Sequence, residues 1–125
     1  MKRIFALFLL SLLLVLPSLT TRRWKEQFGR VLGEAMASGV PVAGSSSGFI
    51  PEFIHATGGG LVFPEGDAMA LARVLATLAR EPLHRRQLAE AGRAGVLGHY
   101  SVPVLARRWH DLLLRAGKLP GPRSV

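Results

Sequence analysis

The amino-acid sequence predicts an α/β domain in which a small parallel sheet is followed by a helical C-terminal end. Three observations carry this. Short apolar runs of strand type alternate with helical periodicity in the first half, helical spacing takes over in the second, and clusters of Gly, Pro and Ser mark the junctions. A chain of 125 residues holds one ordinary core, and 49% hydrophobic residues with 14 Gly and 8 Pro suit a globular unit rather than a disordered one. The absence of Cys excludes disulfides, thiol chemistry and a Cys-rich zinc site.

Residues 1–11 are an apolar start with two competing readings. Lys2 and Arg3 precede an apolar run from Ile4 to Leu16 that matches a secretory signal, but thirteen residues fall short of the roughly 20 needed to span a bilayer. The run then meets Pro17-Ser18-Leu19-Thr20-Thr21 with no small-x-small cleavage site. The other reading makes Leu12 to Leu16 a buried parallel strand stopped by Pro17. The folded domain is set at 12–116, with a loose tail over 117–125.

Phe28, Val31, Leu32, Ala35 and Met36 recur at helical spacing until Gly39-Val40-Pro41. Val40 to Ala43 reads as a strand, Gly44 to Gly48 as a turn, and Pro51 opens a short helix because its missing N–H is not needed in a first turn. Gly58-Gly59-Gly60 breaks that helix before a strand at Leu61-Val62-Phe63. Asp67 caps a helix with Ala68, Leu71, Ala72, Leu75 and Leu78 inward, and Pro82 opens another with Leu83, Leu88, Ala91 and Val96 inward. Ser101 caps the last, whose apolar face is Val104, Leu105, Trp109, Leu112 and Leu113. Trp24 and Trp109 read as packing anchors. About three strands are visible, too few for a sheet of buried type, so further strands are expected on the N-terminal side.

Sixteen basic residues against eight acidic ones give a net charge of +8. From Arg80 onward nine basic residues face Glu81, Glu90 and Asp111, spread over predicted helices without an aromatic-rich basic motif or a DNA-binding helix pair. No nucleic-acid partner is expected; a solvated face, an acidic membrane surface or a further domain suits the charge better.

The chemistry centres on Glu26 and Glu34, with seven residues between them. On a continuous helix they stand about 12 Å apart along the axis and about 80° apart around it, too far to share a proton but suited to two ends of one long ligand. Phe28, Gly29, Arg30 and Val31 then lie in the first turn, where backbone N–H groups and the positive end of the helix dipole seat a phosphate. Gly29 lets a ligand approach the backbone. Hydroxyls at both ends and an anion between them describe a sugar, a diphosphate and a ribose. The four His form no triad or metal spacing, Glu52 suits a helix dipole as well as a ligand, and the Ser45-Ser46-Ser47-Gly48 loop reads as a phosphate cradle or as a plain strand-to-helix connection.

From about Leu14 to Leu113 the sequence resembles the donor-binding domain of the group 1 family of retaining GT-B glycosyltransferases. The resemblance is carried by Val15-Leu16-Pro17-Ser18, Glu26-x7-Glu34-Ala35-Met36-Ala37, Gly39-Val40-Pro41-Val42, Gly48-Phe49-Ile50-Pro51-Glu52, Gly60-Leu61-Val62-Phe63 and Gly66-Asp67. It implies a partial Rossmann-like parallel sheet, half of a GT-B fold. It implies that Glu26 lies beside the transferred sugar, that Glu34 holds the ribose, and that Phe28 to Val31 line the diphosphate. The nucleotide-diphosphate sugar is then a substrate, and no cofactor or metal is expected. The partner implied is an N-terminal acceptor-binding domain, missing here or supplied by another chain, without which hexosyl transfer is expected to fail. The family's Arg and Lys pair, which neutralises the leaving diphosphate, belongs to an earlier stretch that these residues do not contain. Beside this reading stand a non-catalytic module that binds nucleotide sugar or a partner, and a membrane-attached interaction protein. The expected location is cytoplasmic or peripheral to the cytoplasmic face of the membrane, with secretion left open by the signal-like start.

Overall fold

The computed structural model describes residues 13–25, 27 and 29–117. Three strands, β1 (Leu14–Leu16), β2 (Val42–Ser45) and β3 (Gly60–Phe63), form a parallel sheet in the order β1-β2-β3. Leu14 lies opposite Val42, and Val42 opposite Gly60. The connections are the helices α1 (Arg30–Ala37) and α2 (Ile50–Thr57), and α3 (Ala68–Arg80), α4 (Pro82–His99) and α5 (Val102–Ala116) follow the sheet. The expected α/β class, parallel sheet and helical end are all present.

Both faces of the sheet are covered, and side-chain alternation divides the strands between two cores. Val42 faces Leu32 and Met36 of α1, Ile50 and Ile54 of α2 and Val96 of α4. Ala43 and Phe63 face Ala70 and Leu78 of α3. In β1, Leu14 and Leu16 lie toward the first core and Leu13 and Val15 toward the second. Leu12 lies outside the described residues.

Two strands differ from the expected bounds. β2 begins after Pro41, which has no N–H for the ladder, and continues through Gly44 and Ser45, which had read as turn. A Cβ on Gly44 would lie within 2.4 Å of Ile50 Cγ2, so glycine here admits α2 to the sheet. The break before β3 ends at Gly59, and Gly60 joins the strand.

The second half departs further. Asp67 caps α3 as expected, its carboxylate accepting from the Ala70 N–H at 2.8 Å, and Leu71 and Leu78 lie inward as expected, but Ala70 and Val74 join them while Ala68 and Ala72 are exposed. In α4 Leu88 and Val96 lie inward as expected, but Leu83 and Ala91 are exposed and Gly92 is buried. The reason is the approach of α4 to the α2–β3 junction, which the glycines permit. A Cβ on Gly92 would sit 2.7 Å from Gly59 Cα and 3.1 Å from Met36 Cγ. Ser101 precedes α5 without a side-chain capping bond, and no residue of α5 is buried. Trp24 and Trp109 are both exposed, so neither is a packing anchor.

Gly92→Ala is therefore expected to destabilise the fold by about 1–3 kcal/mol through overpacking. Gly98→Ala, where an added Cβ meets nothing within 4 Å, should stabilise it by up to about 1 kcal/mol through helix propensity. Urea unfolding of the two variants against the parent checks both signs.

Candidate functional site

Because the strands are parallel, their C-terminal ends at Leu16, Ser45 and Phe63 open on one edge of the sheet, the edge where open α/β sheets bind ligands. The loops there are tied together. Ser45 Oγ donates to the Ser18 carbonyl at 2.6 Å, and the Thr20 and Ser47 hydroxyls share a hydrogen bond of 2.9 Å. The Thr20 N–H donates to Glu65 Oε2 at 2.9 Å, and the Glu65 N–H donates to Ser46 Oγ at 2.9 Å. Ser45 and Ser47 are fully buried. The serine hydroxyls thus join the loops after β1, β2 and β3. Partners 27 and 45 positions apart leave no local signal in the sequence.

The Thr20 backbone N–H, followed by its hydroxyl, the Ser47 hydroxyl and the Lys25 charge, holds the Glu65 carboxyl below its ordinary value, with desolvation opposing them. The folded form therefore favours the carboxylate.

α1 starts beside this edge. Gly29 precedes it with φ 52 and ψ 45, a left-handed conformation that itself calls for glycine. A Cβ there would lie 3.0 Å from Leu32 Cδ1 and 3.9 Å from Leu16 Cδ2, which places the turn on the end of β1. α1 begins after this left-handed residue, at Arg30, and carries Glu34. Glu26 and Phe28 lie outside the described residues. Gly29 has no side chain with which to cap α1, and Arg30 and Val31 occupy its first turn, where N–H groups lack intrahelical carbonyls. Arg22, Arg23, Lys25 and Arg30 are all exposed, so the approach to α1 is basic.

Arg30 and Glu34 stand one turn apart on one face of α1, with Glu34 exposed. Together with Gly29 and Gly33 they form one wall of an open groove of about 390 Å³ whose other wall comes from the end of α4 and the start of α5, including Tyr100, Ser101 and Leu105. Val31 does not line it. The α4–α5 wall has no counterpart in the sequence reading, which makes Ser101 a cap and Leu105 part of an apolar helix face and gives Tyr100 no role. Tyr100 is fixed by ring contact with Phe53, their centroids 4.9 Å apart. Among the described residues no group of three His, Asp or Glu is placed to hold a metal.

A parallel α/β half-sheet, with a helix that starts against the end of its first strand and a groove along that helix, defines the class: a Rossmann-like unit of the GT-B type. The chain belongs to the glycosyl transferases group 1 family, whose model matches residues 1–95. It is 36% identical over 102 residues to the amylovoran biosynthesis glycosyltransferase AmsK of Erwinia amylovora, covering 81% of this chain and 25% of that protein. Among solved structures, the sucrose-phosphate synthase of Thermosynechococcus elongatus superposes with a TM-score of 0.72 at 30% identity, over 84% of this chain and 25% of the other. Anabaena HepE, solved in complex with UDP, superposes with a TM-score of 0.75 over 86% of this chain and 29% of the other, a likeness of fold at 23% identity. The chain spans about a quarter of the length of the curated relatives it matches.

The Glu65 clasp sets a pH dependence. A carboxyl held below its unfolded value adds stability above that value and loses it as pH falls through the folded value. Glu65→Gln should therefore be less stable than the parent near neutrality, and the gap should close below the ordinary value of 4.5. Urea midpoints measured from neutral pH downward check this, and a gap that is constant with pH contradicts it.

Proposed function

We propose that this chain is the donor-binding part of a glycosyltransferase and holds a nucleoside-diphosphate sugar at the start of α1. The observation that carries the reading is the meeting of Gly29, Arg30 and Glu34 on one groove, with Gly29 set against Leu16 at the end of β1. The first turn of a helix offers backbone N–H groups and the positive end of a dipole to the diphosphate. The Arg30 guanidinium adds a charge that complements phosphate oxygens. Glu34, one turn on, presents a carboxylate to the paired hydroxyls of the ribose. Glu26, by family resemblance, stands beside the sugar.

In transfer the bond between the anomeric carbon and the phosphate oxygen breaks and the diphosphate leaves with the electron pair. Groups that stabilise this growing negative charge lower the barrier, and the α1 end with Arg30 is placed for it. The acceptor hydroxyl must come from outside these residues, from an acceptor-binding domain across the cleft. The chain alone is thus a donor holder, with transfer restored when that domain is supplied. Membership of the family and the UDP-bound state of a structural relative support this reading.

UDP or GDP should bind better than the parent nucleoside, because the anion makes the helix-end contact that ribose does not. Glu34→Ala should weaken nucleoside diphosphate and nucleotide sugar alike, whereas Glu26→Ala should weaken mainly the sugar-bearing ligand. Each loss should be roughly tenfold to a hundredfold, as for a hydrogen bond with a charged partner. Calorimetry on the single variants and the double variant reads this out. Undiminished binding in the double variant removes these carboxylates from the site.

A further inference from the structure

The connection from β1 to α1 runs over the surface, and a side chain from another loop holds it. Thr20 to Lys25 are all exposed. Beyond Thr20 the segment bonds to itself: the Thr21 N–H donates to the Trp24 carbonyl at 2.8 Å, and the Trp24 N–H donates to Thr21 Oγ1 at 3.1 Å. Among the described residues ahead of Gly29, Thr20 is the last of this connection to be hydrogen-bonded to another element, through its N–H to Glu65 Oε2 and its hydroxyl to that of Ser47. Glu65 is itself well anchored. Its N–H donates to Ser46 Oγ, and the Asp67 N–H donates to the Pro64 carbonyl at 3.1 Å, closing the tight turn in which Gly66 takes φ 77. Leu19 leans on the same turn, since a Cβ on Gly66 would lie 3.8 Å from Leu19 Cδ2.

On the reading of the α1 start as the donor site, we propose that Glu65 is a positioning residue for the nucleoside diphosphate: from the turn after β3 it sets the course of Thr20 to Lys25, and with it the place of Arg22, Arg23 and Lys25 on the approach to α1. A segment ordered before the ligand arrives loses less conformational freedom on binding. Glu65 belongs to neither core, so withdrawing its carboxylate loosens this segment and leaves the sheet and its helices in place. The Thr20 N–H and hydroxyl, the Ser47 hydroxyl and the Lys25 charge all favour the carboxylate, which keeps the bond to Thr20 charge-assisted. The sign of the effect separates positioning from charge. By charge alone an acid at this edge repels a diphosphate, so its removal would tighten binding, whereas a positioning role makes removal weaken it.

The test uses the full chain carrying Trp109→Phe, so that of the two Trp only Trp24, within the held segment, remains. Calorimetry measures UDP and GDP binding, and the anisotropy of Trp24 emission reports the segment before ligand is added. Glu65→Ala should weaken binding by about tenfold and lower the anisotropy. Glu65→Asp, which keeps the charge but falls short of Thr20, should do the same, and Glu65→Gln, which keeps an acceptor oxygen for the Thr20 N–H, should recover most of both. Asp67→Ala removes the α3 cap and lowers stability without touching Thr20, and should bind as the parent does. Equal losses in Asp67→Ala and Glu65→Ala reduce Glu65 to a stabilising residue and overturn the proposal, as does binding in Glu65→Ala or Glu65→Asp that matches or exceeds the parent's. A parent that binds neither diphosphate removes the donor reading and the proposal with it, whereas a parent that binds and variants that bind equally remove the proposal alone.

Discussion

Everything in this fold depends on the burial of β2 on both faces. Val42 to Ser45 are fully enclosed, so α1, α2 and α4 must cover one side and α3 the other. A buried strand places strict demands on what touches it: each polar backbone group needs a partner, and each side chain must fit its neighbours. The parallel ladder meets the first demand. Glycines meet the second where helices come closest, at Gly44 beneath Ile50 and at Gly59 against Gly92. With strand direction fixed in this way, three loops and the start of α1 emerge on one edge, and the site is a consequence of the core.

That edge is held by polar chemistry. The hydroxyls of Ser45, Ser46, Ser47 and Thr20 and the Glu65 carboxylate join loops that hydrophobic burial leaves free. A clasp of this kind fixes the mouth of the sheet without covering it, so a ligand meets a set surface. On the adjoining groove, one wall is polar and comes from α1, and the other is largely apolar and comes from α4 and α5. A nucleotide has the matching division between diphosphate and base.

Local chemistry made much of the fold legible. Pro51 marked the start of α2, Asp67 marked the cap of α3, and the apolar runs around Leu14, Val42 and Val62 marked the sheet. Of the candidate site, Arg30 was readable from the helix start and Glu34 from the Glu26-x7-Glu34 motif, and their spacing sets both on one face of α1. The left-handed turn at Gly29 was not, since glycine suits close ligand approach and positive φ alike. The inward face of α4 was read at Leu88 and Val96 but wrongly extended to Leu83 and Ala91, because hydrophobic periodicity favours them whereas the closest approach is set by what Gly92 lacks. The exposure of the apolar face of α5 was missed for a related reason: an amphipathic pattern shows that an apolar face exists, and says nothing of what it faces. The Thr20–Ser47–Glu65 clasp joins distant positions and has no periodicity to read.

The central claim is that a nucleoside diphosphate sits on the first turn of α1 at the carboxyl edge of the sheet. Amide chemical-shift changes on titrating ¹⁵N-labelled protein with UDP or GDP test it most directly, since they report where the anion lands without requiring turnover. The account predicts the largest changes at Gly29, Arg30 and Val31, and smaller ones at Ser18 to Thr20. Changes centred on α3 or α5, with the amides of Gly29 to Val31 unmoved at saturation, would contradict it.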